Sequence, residues 1–189
     1  MKKIIGLLIS ILILTGCSKE EYLTGKINVE MNIKDYGIIK LELDADEAPI
    51  TVTNFVNLVN DKFYDGLTFH RIIDGFMIQG GDPNHNGTGG SNKNIKGEFK
   101  LNGIENNISH VKGVISMGRR SDSYNSASSQ FFIVEEDSTY LDGGYAAFGY
   151  VTEGIEIVEQ IAKDAIVEDD NGTVLYENQP VITSIKVVE

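Results

Sequence analysis

The chain is poor in the residues on which several common chemistries depend. Its 189 residues include one cysteine, no tryptophan, three prolines and three histidines, and 16 Lys+Arg stand against 28 Asp+Glu. One cysteine closes no intramolecular disulfide and builds no multi-cysteine zinc site. His70, His85 and His110 lack metal-ligand spacing and have no cysteine or carboxylate constellation beside them, so no metal is expected. The formal charge of -12 leaves no basic face for phosphates, which excludes nucleic acid as a partner. No apolar run approaches the roughly 20 residues of a permanent membrane helix. The glycines at Gly80-Gly81, Gly87 and Gly89-Gly90 lack the lysine of a phosphate loop and open no helix, so they read as turns. No Gly-x-Ser-x-Gly stretch supports nucleophilic hydrolysis. No cofactor is expected.

What remains is a chain of 41% hydrophobic residues and 20 glycines, suited to one turn-rich globular domain with a sizeable core. Its first segment differs from the rest. Lys2 and Lys3 precede the apolar run Ile4 to Leu14, the pattern of a signal peptide. Leu14-Thr15-Gly16-Cys17 then resembles the bacterial lipobox. That likeness implies removal of residues 1–16 and acylation of Cys17, with palmitate among its chains, as a membrane anchor. Residues 17–26 read as a lipidated, polar tether and 27–189 as the working domain. Cleavage would remove two lysines and no acid, so the remaining 173 residues would carry -14. The expected location is the extracytoplasmic face of the cell membrane.

From Lys26 onward short strands dominate. Ile27, Val29, Met31 and Ile33 alternate with polar residues, and after the turn at Lys34 to Gly37 a second alternation holds Ile39, Leu41 and Leu43, which together predict a β-hairpin. Pro49 suits a first helical turn, and Val52, Phe55, Val56 and Val59 fall on one helical face. Further strands are expected at 67–73, 76–79, 114–117, 131–134, 146–151 and 181–188, a second helix at 155–163, and an acidic loop at 164–179. The fold class is mainly β: seven or eight short strands with two helices suggest a closed or nearly closed antiparallel barrel capped by the helices. Nothing demands an oligomer, and a monomer is expected.

One segment resists a purely structural reading. Residues 63–90 read FYDGLTFHRIIDGFMIQGGDPNHNGTGG, and Arg71 sits in a strand among large apolar residues. A desolvated guanidinium is costly, so it should be paired or used. Alternation puts Phe69, Arg71 and Ile73 on one face and His70 and Ile72 on the other. This stretch, with Gly113 to Met117, Ser126 to Ile133, Leu141-Asp142-Gly143 and Phe148-Gly149 in the same order, resembles the cyclophilin family of peptidyl-prolyl cis-trans isomerases. The resemblance runs from about Ile27 to the C-terminus. It implies a closed eight-stranded barrel with two capping helices, Arg71 as the catalytic residue, a proline pocket of Phe76, Met77, Phe132 and Leu141, and Gln79, Gln130 and Tyr145 as further substrate-binding groups. Tyr145 stands where many members have histidine, Tyr140 where many have tryptophan, and the loop with Gly118 and Arg119 falls where the peptide backbone is met. Substrates would be proline-containing polypeptides. Two other readings stay open on the residues alone: a groove that binds proline segments without useful turnover, and a solute-binding lipoprotein, for which a single lobe is a poor frame.

Overall fold

The computed structural model describes residues 21–189; the expected signal peptide and Cys17 lie outside the described residues. Eight strands and two α-helices follow one another as β1 (Lys26–Ile33), β2 (Gly37–Asp44), α1 (Pro49–Asn60), β3 (Phe69–Ile73), β4 (Met77–Gly80), β5 (Val114–Met117), β6 (Phe131–Val134), β7 (Ala147–Glu153), α2 (Ile155–Asp164) and β8 (Ile182–Val188). Neighbouring strands pair antiparallel in the order β3-β4-β6-β5-β7-β2-β1-β8.

The expected closure of the barrel is corrected by this order. The sheet curls but stays open between β3 and β8, which share no ladder. Only the bridge Thr68–Val181 and backbone bonds such as Phe69 N–H to Pro180 O (3.0 Å) and Ile182 N–H to Leu67 O (2.8 Å) span the gap. The reason is occupancy of the edge. Residues 172–174 lie along β3 instead, with Ile72 N–H bonded to Gly172 O (2.8 Å) and Val174 N–H to His70 O (3.0 Å). A covered edge offers no free groups to a further strand.

The hairpin β1–β2 keeps an unbroken register from Lys26–Asp44 to Ile33–Gly37. Its turn uses Asp35 at φ 66°, a left-handed conformation that aspartate tolerates better than most residues. Ahead of β1, Leu23 N–H donates to Thr53 Oγ1 on α1 (2.8 Å), so the chain enters the domain already fixed to that helix.

Helix α1 buries Val52, Phe55, Val56 and Val59, the face expected from their spacing. Ala48 offers no capping side chain, and the first turn is satisfied from a distance. The buried carboxylate of Glu98 accepts from Ile50 N–H (3.0 Å), Thr51 N–H (2.7 Å) and Thr51 Oγ1 (2.7 Å). An anion there meets both the unbonded N–H groups and the positive end of the helix dipole. Helix α2 buries Val158, Ile161 and Ala162. It starts at Gly154, whose φ of 87° and closeness to Ile38 O (a Cβ would lie at 2.7 Å) exclude a larger residue.

Strand alternation divides the apolar residues into two clusters. Ile78, Ile115, Phe131, Ile133 and Phe148 face the main core, where Phe55, Tyr64, Phe69, Phe131 and Phe148 meet with ring centroids 5.0 to 6.0 Å apart. Met77, Val114, Phe132, Val134 and Ala147, their immediate neighbours in sequence, form a second cluster with Ile108 on the other face. Strand β3 departs from simple alternation. Phe69 pairs with Gly80 and Arg71 with Gln79, so His70 is an extra residue in a bulge. Phe69 and Ile72 therefore both enter the main core, and Ile73 packs on the second cluster. The expectation that Phe69 shares a face with Arg71 is corrected by this bulge.

Candidate active site

Pairing registers assemble the site. Arg71 pairs with Gln79, Gln79 with Phe132 and Phe132 with Ser116, so one row of residues crosses β3, β4, β6 and β5. The next row contains Ile73, Met77 and Val134. Above these rows lies a cavity of about 140 Å³, walled by Arg71, Phe76, Met77, Gln79, Phe132, Leu141 and Tyr145, with Gly118 and Arg119 at one side. Cavities near 150 Å³ with apolar walls admit one small ring. Seven of the eight residues expected at the site thus share one cavity. The eighth, Gln130, is held against it by Gln79 Nε2, which donates to Gln130 Oε1 (2.9 Å).

Arg71 is paired without an acid. Its Nε donates to Asn171 O (2.8 Å), and Nη1 donates to Gln79 Oε1 (3.2 Å) and lies 4.0 Å from Met77 Sδ. No carboxylate bonds to it among the described residues, and Nη2 has no protein acceptor there. Burial pulls its pKa below the ordinary arginine value, opposed by the fields of Tyr145, Tyr140 and Asp169, and it stays charged at neutral pH. The polar chain continues from Arg71 through Gln79 to Gln130, whose Nε2 donates to Gly87 O (3.1 Å) and Gly89 O (2.8 Å). Neutral acceptors fix the guanidinium without neutralising it.

The pocket floor rests on groups that the sequence reading passed over. The His110 ring stacks on Phe132 at 6.0 Å and 17° and meets Tyr145 edge-on at 6.5 Å. Burial pushes the His110 pKa down, against the raising effect of its bond to Asp142, so the ring is neutral at pH 7. Its Nδ1–H then donates to Asp142 Oδ1 (2.8 Å) and its Nε2 accepts from Ser116 Oγ (3.0 Å). Asp142 also accepts from His110 N–H (2.7 Å) and Ser109 Oγ (2.6 Å), and these bonds hold its carboxyl below the usual range although burial opposes them. The signal available was Asp142, adjacent to Leu141; its partner lies 32 residues earlier and carries no spacing cue.

At the rim, Tyr140 is largely exposed and its ring tilts against Phe76 at 6.0 Å. Arg119 lies over the rings of Tyr145 (4.6 Å), Tyr124 (5.2 Å) and Phe99 (5.4 Å). Its Nε donates to Gly144 O (2.9 Å) and its Nη1 to Arg120 O (2.9 Å). A second, more polar cavity of about 570 Å³ adjoins the first and shares Gln79, Gly118 and Arg119 with it. A further cavity of about 710 Å³ lies between α1 and residues 91–96 and does not include Arg71 in its lining. Among the described residues, no group of three or more His, Cys, Asp or Glu side chains is placed to hold a metal ion.

An eight-stranded curled half-barrel with two helices and an arginine-walled, ring-sized pocket is the frame on which the chain compares with known proteins. The family model for cyclophilin-type peptidyl-prolyl cis-trans isomerases matches residues 28–187, and the chain belongs to that family. It is 37% identical to peptidyl-prolyl cis-trans isomerase A of Dickeya dadantii over all of this chain and 98% of that protein. It is 40% identical to peptidyl-prolyl cis-trans isomerase B of Bacillus subtilis over 72% of this chain and 92% of that one. A crystal structure of a cyclophilin-type isomerase of Cryptosporidium parvum, determined in the presence of the dipeptide Ala-Pro, aligns with TM-score 0.75 at 28% identity, covering 86% of this chain and 99% of that one. The chain is therefore a peptidyl-prolyl cis-trans isomerase of the cyclophilin type.

Proposed function

We propose that this isomerase works on proline-containing segments of extracytoplasmic proteins, assisting their folding, from a lipid anchor on Cys17. Rotation about an X-Pro bond is slow because the nitrogen lone pair is delocalised into the carbonyl, with a barrier of about 18–20 kcal/mol. No bond breaks, so neither nucleophile nor cofactor is needed. The observation that carries the reading is the charged Arg71 guanidinium at the wall of a ring-sized cavity that also presents Phe76, Met77, Phe132 and Leu141, with Nη2 uncommitted among the described residues. A proline ring seated against Phe76, Met77, Phe132 and Leu141 brings its amide to that group. Donation to the prolyl nitrogen localises the lone pair and stabilises the twisted amide. Gln79 and Gln130 hold the flanking backbone while the other side rotates, and Tyr145 closes the rim.

The magnitudes agree. Uncatalysed exchange takes about 10–100 s. Reaching milliseconds is roughly a 10⁴-fold gain, about 5.5 kcal/mol. One preorganised donor in a water-poor site supplies about 2.7–4 kcal/mol of this, and orientation supplies the remainder. The purified chain should accelerate isomerisation of a chromogenic X-Pro peptide well above background; a rate equal to background would overturn the catalytic reading. The likeness of Leu14-Thr15-Gly16-Cys17 to a lipobox supports the anchor. Mass spectrometry of the mature protein should find an N-terminus at Cys17 bearing acyl chains, and an unacylated or uncleaved N-terminus would overturn it.

A further inference from the structure

All three arginines of this chain, Arg71, Arg119 and Arg120, lie on the walls of the two adjoining cavities. The chain has 28 acidic residues, and among the described residues no Asp or Glu lines either cavity. A protein of net charge -12 thus carries a local cationic groove. Lysine is absent from both walls, and planar guanidinium groups suit forked contacts to carboxylates better than lysine does.

Arg119 is held by neutral partners only: two backbone carbonyls and three aromatic faces. Its Nη2 has no acceptor among the described residues, so the charge is fixed in place with donors to spare. Arg120 is more than two-thirds exposed, and its Nε meets Asp122 at 3.0 Å, a solvent-screened pair that a ligand can displace at small cost. Gly118, which precedes them, lies on both walls. A chain that seats proline in the smaller cavity therefore has the larger one directly beside it.

We propose that the groove selects X-Pro segments with an Asp or Glu side chain within about three residues of the proline, a reach set by the rise of about 3.3 Å per extended residue. Arg119 and Arg120 are the specificity-determining residues, and the second cavity receives the carboxylate. This inference rests on the isomerase reading of the first cavity. The preference is local, because the net charge of the body repels acidic chains at long range.

The test uses chromogenic proline peptides with Glu, Gln or Lys at each position up to three residues from the proline, on either side, with rates taken over each peptide's own background. At one position kcat/KM for Glu should exceed that for Lys by about three- to tenfold, with Gln between them. The Arg120→Glu variant should bring that ratio below one. A Glu:Lys ratio near one at every position, with Gln peptides still turned over, would overturn this inference alone. A native ratio that survives in both Arg119→Gln and Arg120→Glu would overturn the assignment to these arginines. Absence of turnover with every peptide would overturn the isomerase reading and this inference with it.

Discussion

Replacing Asp142 with alanine tests how the pocket floor is held. Asp142 accepts three hydrogen bonds within 2.8 Å, two of them from His110. The His110 ring is only 1% exposed, so its Nδ1–H loses its partner in a nearly dry place, whereas the Asp142 side chain itself is 38% exposed. A buried donor left unsatisfied costs about 1–3 kcal/mol. Water can enter from the exposed side and meet the backbone N–H, which places the total at about 2 kcal/mol, the middle of that range. For a domain of this size 1 kcal/mol corresponds to about 2–4 °C, so Tm should fall by about 4–8 °C. His110 also stacks beneath Phe132 and bonds Ser116, so the apolar floor loosens and KM should rise more than kcat falls. Asp142→Asn keeps the shape and one acceptor oxygen and should lose about half as much stability. Circular-dichroism melting and the peptide assay read both effects. A Tm unchanged in Asp142→Ala, or a loss confined to kcat, would refute the reasoning.

Two further outcomes follow from the same kind of accounting. Glu98→Ala removes the one acceptor that three donors at the start of α1, two of them backbone, have among the described residues, and should lower stability by about 2–3 kcal/mol. The urea midpoint should drop with the slope unchanged, and a native midpoint would contradict the capping role. His70 and His110 both have pKa values pushed below 6.5 by burial. The unfolded chain therefore binds more protons than the folded one in the window just below pH 6.5, and stability should fall as pH drops through it. Asp44, Asp142 and Asp169, held below the ordinary 3.8, add losses only at lower pH. A urea midpoint that stays flat from pH 7 to 5 would contradict the buried, neutral state of the two rings.

The parts of the fold visible in the sequence are those governed by periodicity. Strands 114–117 and 131–134 match their expected spans because each is a short, wholly buried apolar run bounded by turn residues, and the face Val52, Phe55, Val56 and Val59 is buried on α1 as its spacing predicts. The site residues were named through the ordered motifs that resemble the cyclophilin pattern; strand pairing then sets Arg71, Gln79 and Phe132 on one row and Met77 on the next, while Leu141 and Tyr145 reach the same cavity from the segment before β7. The bulge at His70 was not legible: nothing in Phe69-His70-Arg71 marks an inserted residue, and the insertion moves Phe69 to the opposite face from Arg71. The open edge between β3 and β8 was hidden for a related reason, since the 172–174 stretch contributes backbone and no apolar pattern. Asn171 likewise serves Arg71 through its carbonyl, which any residue has. Glu98 acts on a helix 47 residues away, and its place in an unpatterned loop gave no sign of that contact.

The central claim is that Arg71 stabilises the twisted prolyl amide, and the assay of Arg71→Ala and Arg71→Lys tests it most directly. Arg71→Ala should retain native Tm to within a few degrees, since the side chain is half-buried and bonded to neutral acceptors, and should lose about 10²–10³ in kcat/KM. Arg71→Lys keeps the charge without the fork that reaches Asn171, Gln79 and the substrate together, and should recover only part of that loss. A folded Arg71→Ala protein with kcat/KM close to native would contradict the account.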